Sequence, residues 1–440
     1  MLRSFVTNEI RRQYELGSLW EFEPLGGDHA SKKYKMTVPG CWENHPDFAA
    51  YRGRAVYRKW IHAGGNIRLV FKGVSHTAVV CLDGERIGGH YNAYTPFAIV
   101  LTDIVRGEHL LEVFVDNAFS EASALHIPND YQTYGGITRP VAYEILQEAY
   151  IKQVHFTPFK KDGVWNGKIE VSVENIGDKK RKLAVAFNLA GEECRLERDT
   201  SEPGQVVILS KEFAFPDALT YEPDEPNLYK LKARLFIDDS TAPLDDLIEQ
   251  IGFREIKVEG RHILFNGKKL LLKGFNRHED HPQFGCAIPL QATQHDLDLA
   301  VDMGANAIRT FHYPNDELFL DLCDERGILV WEEAHARGLD EAAMRNLNFE
   351  KQSRDCINEM IISHYNHPSI FIWGLLNECA SDTGYGRGCY ERLIGLIRSL
   401  DDSRPVSFAS CQFLKDICLD LVDVVSFNIY LGWYHDAAPA

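Results

Sequence analysis

Apolar positions along this chain follow two different rhythms. Up to about residue 255 they fall in short runs with a period near two, the pattern of half-buried strands. In residues 1–147 the runs Arg54-Ala-Val-Tyr-Arg-Lys-Trp-Ile61, Ile67-Arg-Leu-Val-Phe71, Thr77-Ala-Val-Val-Cys-Leu82 and Leu110-Leu-Glu-Val-Phe-Val115 are separated by Gly, Asp and Asn clusters. Strands at this spacing predict a β-sandwich. Residues 148–255 repeat the pattern with Ile169–Val173, Leu183–Phe187 and Tyr229–Ile237. About seven strands in some hundred residues fit an immunoglobulin-like sandwich. Pro223-Asp-Glu-Pro-Asn-Leu228 reads as a loop.

From 256 to 440 the rhythm changes. Phe265-Asn-Gly-Lys268 signals a hairpin turn. After it, apolar strands alternate with amphipathic helices. The strands predicted are Leu270–Phe275, Ala305–Phe311, Ile328–Glu333, Ser369–Leu376, Pro405–Ala409 and Val424–Ile429. Thr293 is placed to cap a helix that ends at Gly304, and Pro314-Asn-Asp-Glu317 opens another that stops at Gly327. Continuous apolar strands of this kind belong to a parallel sheet covered on both faces. Such repeats build either an open doubly wound sheet or a (β/α)8 barrel. Polar residues close nearly every strand: Asn276-Arg-His-Glu-Asp280, His312, Glu333, Asn377-Glu378, Ser410 and Asn428. A barrel concentrates its chemistry on that rim. An open sheet would carry a glycine-rich phosphate loop after its first strand, and none is there. Gly384-Tyr-Gly-Arg-Gly388 follows the fourth strand and reads as a flexible rim loop.

Composition narrows the function classes. A length of 440 residues predicts about three domains. The net charge of −17 argues against general affinity for nucleic acid or an anionic membrane. No apolar run approaches the ~20 residues of a membrane-spanning helix. The first residues are charged where an export signal would be apolar, so the cytoplasm is the expected compartment. Ten cysteines are scattered without a CxxC pair, which predicts reduced, mostly buried thiols.

The sharpest chemical signal is Ser369-Ile-Phe-Ile-Trp-Gly-Leu-Leu-Asn377-Glu378, an apolar strand that delivers an amide and a carboxylic acid to the rim. Apolar surroundings such as Trp373 favour a protonated acid, which suits a general acid near neutral pH. Glycoside hydrolysis needs such an acid and a second carboxylate. A capping or ion-paired glutamate is the alternative. The cluster Asn276–His281 could bind metal but lacks HExxH spacing, and structural salt links are the better reading for most of it. Arg309 could orient a carboxylate and His312 could bond a sugar hydroxyl; each could equally be a satisfied buried group. Asn428, Tyr430, Gly432, Trp433 and Tyr434 combine rings with polar tips, fit either to stack on a pyranose or to close the barrel mouth. Asp130-Tyr-Gln-Thr-Tyr134-Gly-Gly-Ile-Thr-Arg139-Pro is by itself a glycine turn.

Together these segments resemble family 2 glycoside hydrolases, the β-galactosidases, β-glucuronidases and β-mannosidases. The similarity runs in order through Leu19-Trp-Glu-Phe22, Tyr134-Gly-Gly-Ile-Thr-Arg-Pro140, Gly274-Phe-Asn-Arg-His-Glu-Asp280, Arg309-Thr-Phe-His-Tyr-Pro314 and Asn366-His-Pro-Ser-Ile370 through Asn377-Glu378. It implies a jelly-roll sugar-binding sandwich (1–147), an immunoglobulin-like sandwich (148–255) and a (β/α)8 barrel (256–440) with only about six of its eight units. It also implies Glu378 as general acid/base, and Asp130, His312, Asn377, Asn428, Tyr430 and Tyr434 as sugar-binding residues. Arg309, His278 and Glu333 are implied as supporting residues. Asn428 to Tyr434 and His278-Glu-Asp280 are most similar to β-glucuronidases. Arg337 stands where metal-dependent β-galactosidases have a magnesium-pairing glutamate, so neither metal nor cofactor is expected.

No residue matches the family nucleophile, a glutamate on the seventh strand, because the sequence stops at Ala440. A fragment, half of a split enzyme or a truncated product would each explain this. Unpaired strand edges invite association, so a complementing C-terminal polypeptide or a homo-oligomer is expected. The leading expectation is retaining exo-hydrolysis of small-molecule β-glycosides, most similar to β-glucuronides. The alternatives are a β-galactosidase of the same family, a carbohydrate-binding protein without turnover and a structural scaffold.

Overall fold

The computed structural model describes residues 2–430; the Tyr434 assignment lies outside them. The N-terminal part is one continuous sheet of eight strands wrapped around a single core. Trp20, Phe22, Trp42, Tyr57 and Phe71 are fully buried in that core. Arg54–Phe71 is one strand rather than the two expected. It pairs with Ser18–Pro24 at its start and with Val141–Leu146 at its end. The register breaks between Ala63 and Ile67, where Gly64 and Gly65 form a bulge within the strand.

The next part packs a three-stranded sheet on a four-stranded one. Phe156, Val171, Val185, Phe187 and Leu231 fill the space between them. Alternation along Val164–Asn175 is nearly perfect, so one face is buried and the other wet. The Asn266–Gly267 turn is present, with both residues at positive φ, between strands His262–Phe265 and Lys268–Lys269. The proline-rich 223–228 segment is not a plain loop: Glu225–Pro226 pairs with Tyr221–Glu222 in a small hairpin.

The C-terminal part is a curled sheet of six parallel strands in sequence order: β1 (Gly274–Arg277), β2 (Ala307–Thr310), β3 (Leu329–Glu333), β4 (Ile370–Gly374), β5 (Val406–Ser410) and β6 (Val424–Phe427). The helices between them are α1 (Leu290–Asp302), α2 (Glu317–Arg326), α3 (Glu341–Met344), α4 (Phe349–His364) and α5 (Gly384–Leu400). This is a half-barrel. Leu271, Phe275, Phe427 and Ile429 stay exposed on its open side. Asp316 caps α2, and Gly327 ends it in the left-handed conformation. Thr293 is not a cap: α1 begins three residues earlier, after Pro289, and Thr293 lies in its first turn. Gly384–Gly388 is not a loop but the first turn of α5, capped by the Thr383 hydroxyl. Gly386 is required there, because a Cβ would lie 1.7 Å from the Ala380 carbonyl oxygen. Trp373 faces the helix layer rather than the cavity, and its indole donates to Asp401 at 2.8 Å. Among the described residues no helix is long and apolar enough to cross a membrane. All ten cysteines are free thiols.

The first sandwich and the half-barrel are locked face to face. Arg139 donates to Glu279 (2.7 Å) and to the carbonyls of Tyr94 and Pro314, all buried. The rings of Tyr94 and Tyr313 stack at 3.9 Å. Beside them His76, His126 and His335 form a continuous stack, with centroids 4.4 and 4.5 Å apart. Burial is the main cause that pushes His76 and His335 down to about 4 and His126 well below its ordinary value.

Two predictions follow from this interface. Each depressed histidine binds a proton more readily unfolded than folded. The stabilisation is therefore present above the ordinary 6.5 and is lost as pH falls toward about 4. Thermal denaturation should show a falling midpoint across that window, and His126→Phe, which keeps a ring in the stack, should reduce the fall. Arg139→Met leaves Glu279 buried without its cation and should cost about 3–5 kcal/mol in denaturant unfolding. Adding Glu279→Leu should recover most of that loss.

Candidate active site

The C-terminal ends of all six strands, β5 through Cys411, converge on a cavity of about 970 Å³. A parallel sheet directs these ends to one side, and the loops that follow them carry the polar side chains. Glu378 lies four residues past β4 on a tight backbone bend. Leu376 and Glu378 have φ of 47° and 52°, a conformation that L residues rarely adopt. The Glu378 amide donates to the Ala409 carbonyl at 2.9 Å, which pins the bend to β5. Strain of this kind persists only where neighbours enforce it, and it clusters at functional sites.

A hydrogen-bonded network fixes the polar groups. Asn428 Nδ2, past β6, donates to Glu378 Oε1 at 2.6 Å and to Asn377 Oδ1 at 3.0 Å. Arg309 on β2 donates through Nη2 to Asn377 Oδ1 at 2.8 Å. Its Nε meets Glu333 Oε2 at 2.9 Å. The other Glu333 oxygen accepts from His312 Nδ1 at 2.9 Å. Glu333 is fully buried at the end of β3. Burial alone would raise its carboxyl, but Arg309 and His312 outweigh that and hold it below its ordinary range. His312 is shifted down, chiefly by burial, with Glu333 opposing. The pair is thus an ionised carboxylate receiving a neutral imidazole N–H. Among the described residues, the buried Asn377 Nδ2 has no hydrogen-bond partner.

Asp130 reaches the cavity from the N-terminal sandwich. It is exposed, and Arg337 Nη2 donates to it at 3.0 Å. His278, pushed down to about 4 first by burial and then by His312, contacts the Tyr313 hydroxyl at 3.2 Å. Its ring lies 4.8 Å from that of Tyr131. Of the residues named from sequence, Asp130, His278, His312, Asn377, Glu378, Asn428 and Tyr430 line one cavity. Arg309 and Glu333 lie behind it as its frame. Arg337, Tyr131, Asp280 and Cys411 also line it and were not among the residues assigned from sequence. Arg337 carried a signal, since it stands in the segment after β3; Tyr131 carried only its place beside Asp130. The Asn276–Asp280 cluster is tied into salt links and hydrogen bonds: Arg277 to Asp296, Glu279 to Arg139, and Asp280 to the Tyr134 hydroxyl. A second cavity of about 410 Å³ lies on the open inner face of the sheet, between Leu272, Phe275, Trp331 and Phe427.

Such a cavity, with one carboxylic acid held by an amide, neutral imidazoles and an unpaired amide donor, suits a polyhydroxylated ligand and proton transfer at a single oxygen. Comparison with known proteins agrees. Residues 256–439 match the TIM barrel domain of glycosyl hydrolases family 2, and residues 149–254 match a second domain of glycosyl hydrolases family 2. A GH2 β-galacturonidase from Eisenbergiella tayi, solved with galacturonate, is 54% identical with a TM-score of 0.96, over 99% of this chain and 78% of that one. A β-galactosidase of Thermoanaerobacter pseudethanolicus is 31% identical over 93% of this chain and 54% of its own length. A putative β-glucuronidase of Formosa agariphila is 29% identical over 83% and 45%. The chain therefore spans about half the length of these two curated relatives. The matched domains and the similarity along nearly the whole sequence place the chain in glycosyl hydrolases family 2.

Proposed function

We propose that this chain supplies the sugar-binding site and the proton donor of a retaining exo-β-glycosidase acting on terminal β-linked uronides. The observation that carries the proposal is the grip on Glu378. Asn428 holds one of its oxygens at 2.6 Å in a cavity it shares with Asn377 and His312. In the first step Glu378 protonates the glycosidic oxygen while a carboxylate attacks the anomeric carbon. In the second it takes a proton from the water that releases the sugar. The unpaired Asn377 amide is available to a sugar hydroxyl.

Among the described residues, the other carboxylates of the site are already engaged. Glu333 is buried, with both oxygens engaged, and Asp130 and Asp280 are held by Arg337 and Tyr134. A retaining pair needs a second carboxyl ~5–5.5 Å from the acid. The open side of the half-barrel, with Phe427 and Ile429 exposed, favours further strands closing over it, from a longer chain or a partner polypeptide.

The preference for a uronide rests on Arg337, a cation at the cavity wall, and on the names of the relatives. Glucuronate and galacturonate share a carboxylate and differ at C4, so the uronide class is common to both. The T. pseudethanolicus relative supports β-galactosides as the second reading.

Release of 4-nitrophenol from its β-glucuronide, β-galacturonide and β-galactoside tests this on the protein as it occurs, with any partner polypeptide. Uronides should turn over faster than the galactoside, and Glu378→Gln should lower the rate by ~10²–10⁴-fold. Sugar binding without turnover would favour a carbohydrate-binding protein instead, and neither binding nor turnover would end the proposal. Arg337→Ala should raise KM for the uronides about tenfold or more, as loss of a charge-assisted contact does. It should leave the neutral galactoside almost unchanged.

A further inference from the structure

The loop that brings Asp130 and Tyr131 to the cavity belongs to the other domain, and its anchor lies away from the cavity. Residues 130–136 form no strand or helix of their own. At the far end of the loop Gly135 is pressed against Trp42 and Asn117; a Cβ there would lie 2.1 Å from the Trp42 ring. In this tight approach the Gly135 amide donates to both oxygens of Glu43, at 2.9 and 3.1 Å. Asn117 Nδ2 donates to the same carboxylate at 3.3 Å. Arg52 spans the site, donating to the carbonyls of Asn117 and Thr133. One residue before Gly135, the Tyr134 hydroxyl crosses to the barrel and donates to Asp280 at 2.8 Å. The loop is thus fastened on both sides: to its own sandwich through Glu43, Arg52 and the backbone amides of Trp42 and Ser75, which donate to Gly135 and Gly136, and to the barrel through Tyr134 and Asp130.

We propose that Glu43 is a positioning residue: its carboxylate, by holding the Gly135 amide, fixes the 130–136 loop and so sets Asp130 and Tyr131 against the sugar cavity. A glutamine would offer one acceptor oxygen where the Gly135 and Asn117 donors engage two, which explains why an acid occupies a half-buried place. Burial pushes Glu43 up to about 7, with the Gly135 contact and Arg52 opposing. The ionisable groups that face it are Arg52, from the segment before Arg54–Phe71, and Tyr57, on that strand. The anchor is complete when Glu43 is ionised, so the loop loosens as pH falls through about 7. Global stability moves the other way for this group. A raised carboxyl stabilises the fold when protonated, and that contribution is lost as pH rises through about 7. Loosening of the loop in acid would therefore not reflect unfolding driven by Glu43.

The consequence for sugar binding rests on the glycosidase reading; the anchoring does not. Hydrogen exchange of the 130–136 segment, followed by mass spectrometry on the full protein and corrected for intrinsic exchange, reads the anchor directly. Glu43→Gln should reduce its protection about tenfold, the loss expected for one hydrogen bond to a charged group. Tyr134→Phe, which releases one of the fastenings to the barrel, should loosen the same segment. Wild-type protection should fall as pH drops through about 7, and the Glu43→Gln protein should show no such step. With a β-uronide, Glu43→Gln should raise KM more than it lowers kcat. Unchanged protection in Glu43→Gln, or an acid step that survives the substitution, would overturn the proposal. If wild type turns over no glycoside while the exchange results hold, it is the glycosidase reading that fails.

Discussion

A carboxylate withdrawn from water is tolerated only beside a cation or strong donors, and Glu333 is withdrawn completely. Its two oxygens are divided between Arg309 and His312. That requirement fixes more than one ion pair. Arg309, held by Glu333, presents its remaining N–H groups to Asn377 and Asn428. Asn428 in turn holds Glu378. Side chains from the ends of β2, β3, β4 and β6 are thereby registered to one another through a charge that cannot move. The cavity's polar groups are oriented before any ligand arrives, which is how a site avoids reorganisation during reaction.

The site is also a property of two domains. Its floor is the end of a parallel sheet, but part of its wall comes from an antiparallel sandwich far away in sequence. The sandwich is held by the buried Arg139–Glu279 pair, the Tyr94–Tyr313 stack and the three stacked histidines. These contacts are polar or aromatic rather than aliphatic. They constrain orientation as well as separation, because hydrogen bonds and stacked rings weaken when rotated. A loop carrying Asp130 can therefore be placed against a cavity whose Glu378 is on another domain.

Much of this was legible from the sequence. The inner barrel strands, β2 to β5, follow from apolar runs because strands buried on both faces have no other composition open to them. Asp316 and Gly327 mark the ends of α2 because capping and left-handed termination each need particular side chains. The errors have physical causes as well. Gly64-Gly65 separated two expected strands, since glycine marks breaks and bulges alike; only the partner strand, which continues past it, decides. Gly384–Gly388 looked like a loop, yet the close approach of the Ala380 carbonyl demands a small residue and Thr383 supplies the cap. Trp373 was placed near Glu378 by proximity in sequence, but on a strand successive side chains alternate faces, and its indole faces Asp401.

The sequence by itself determined the order of elements, the polar rim and the place of Glu378 just past β4, because periodicity and strand-end chemistry are local. It could not say that Glu333 would be fully buried with its oxygens divided between Arg309 and His312, that Arg337 would meet Asp130 across 207 positions, or that Glu43 would hold the Gly135 amide beside the cavity. Those pairings join residues far apart along the chain. Their energies depend on burial and on distances of a few ångströms, and both exist only once the sandwich has packed against the sheet.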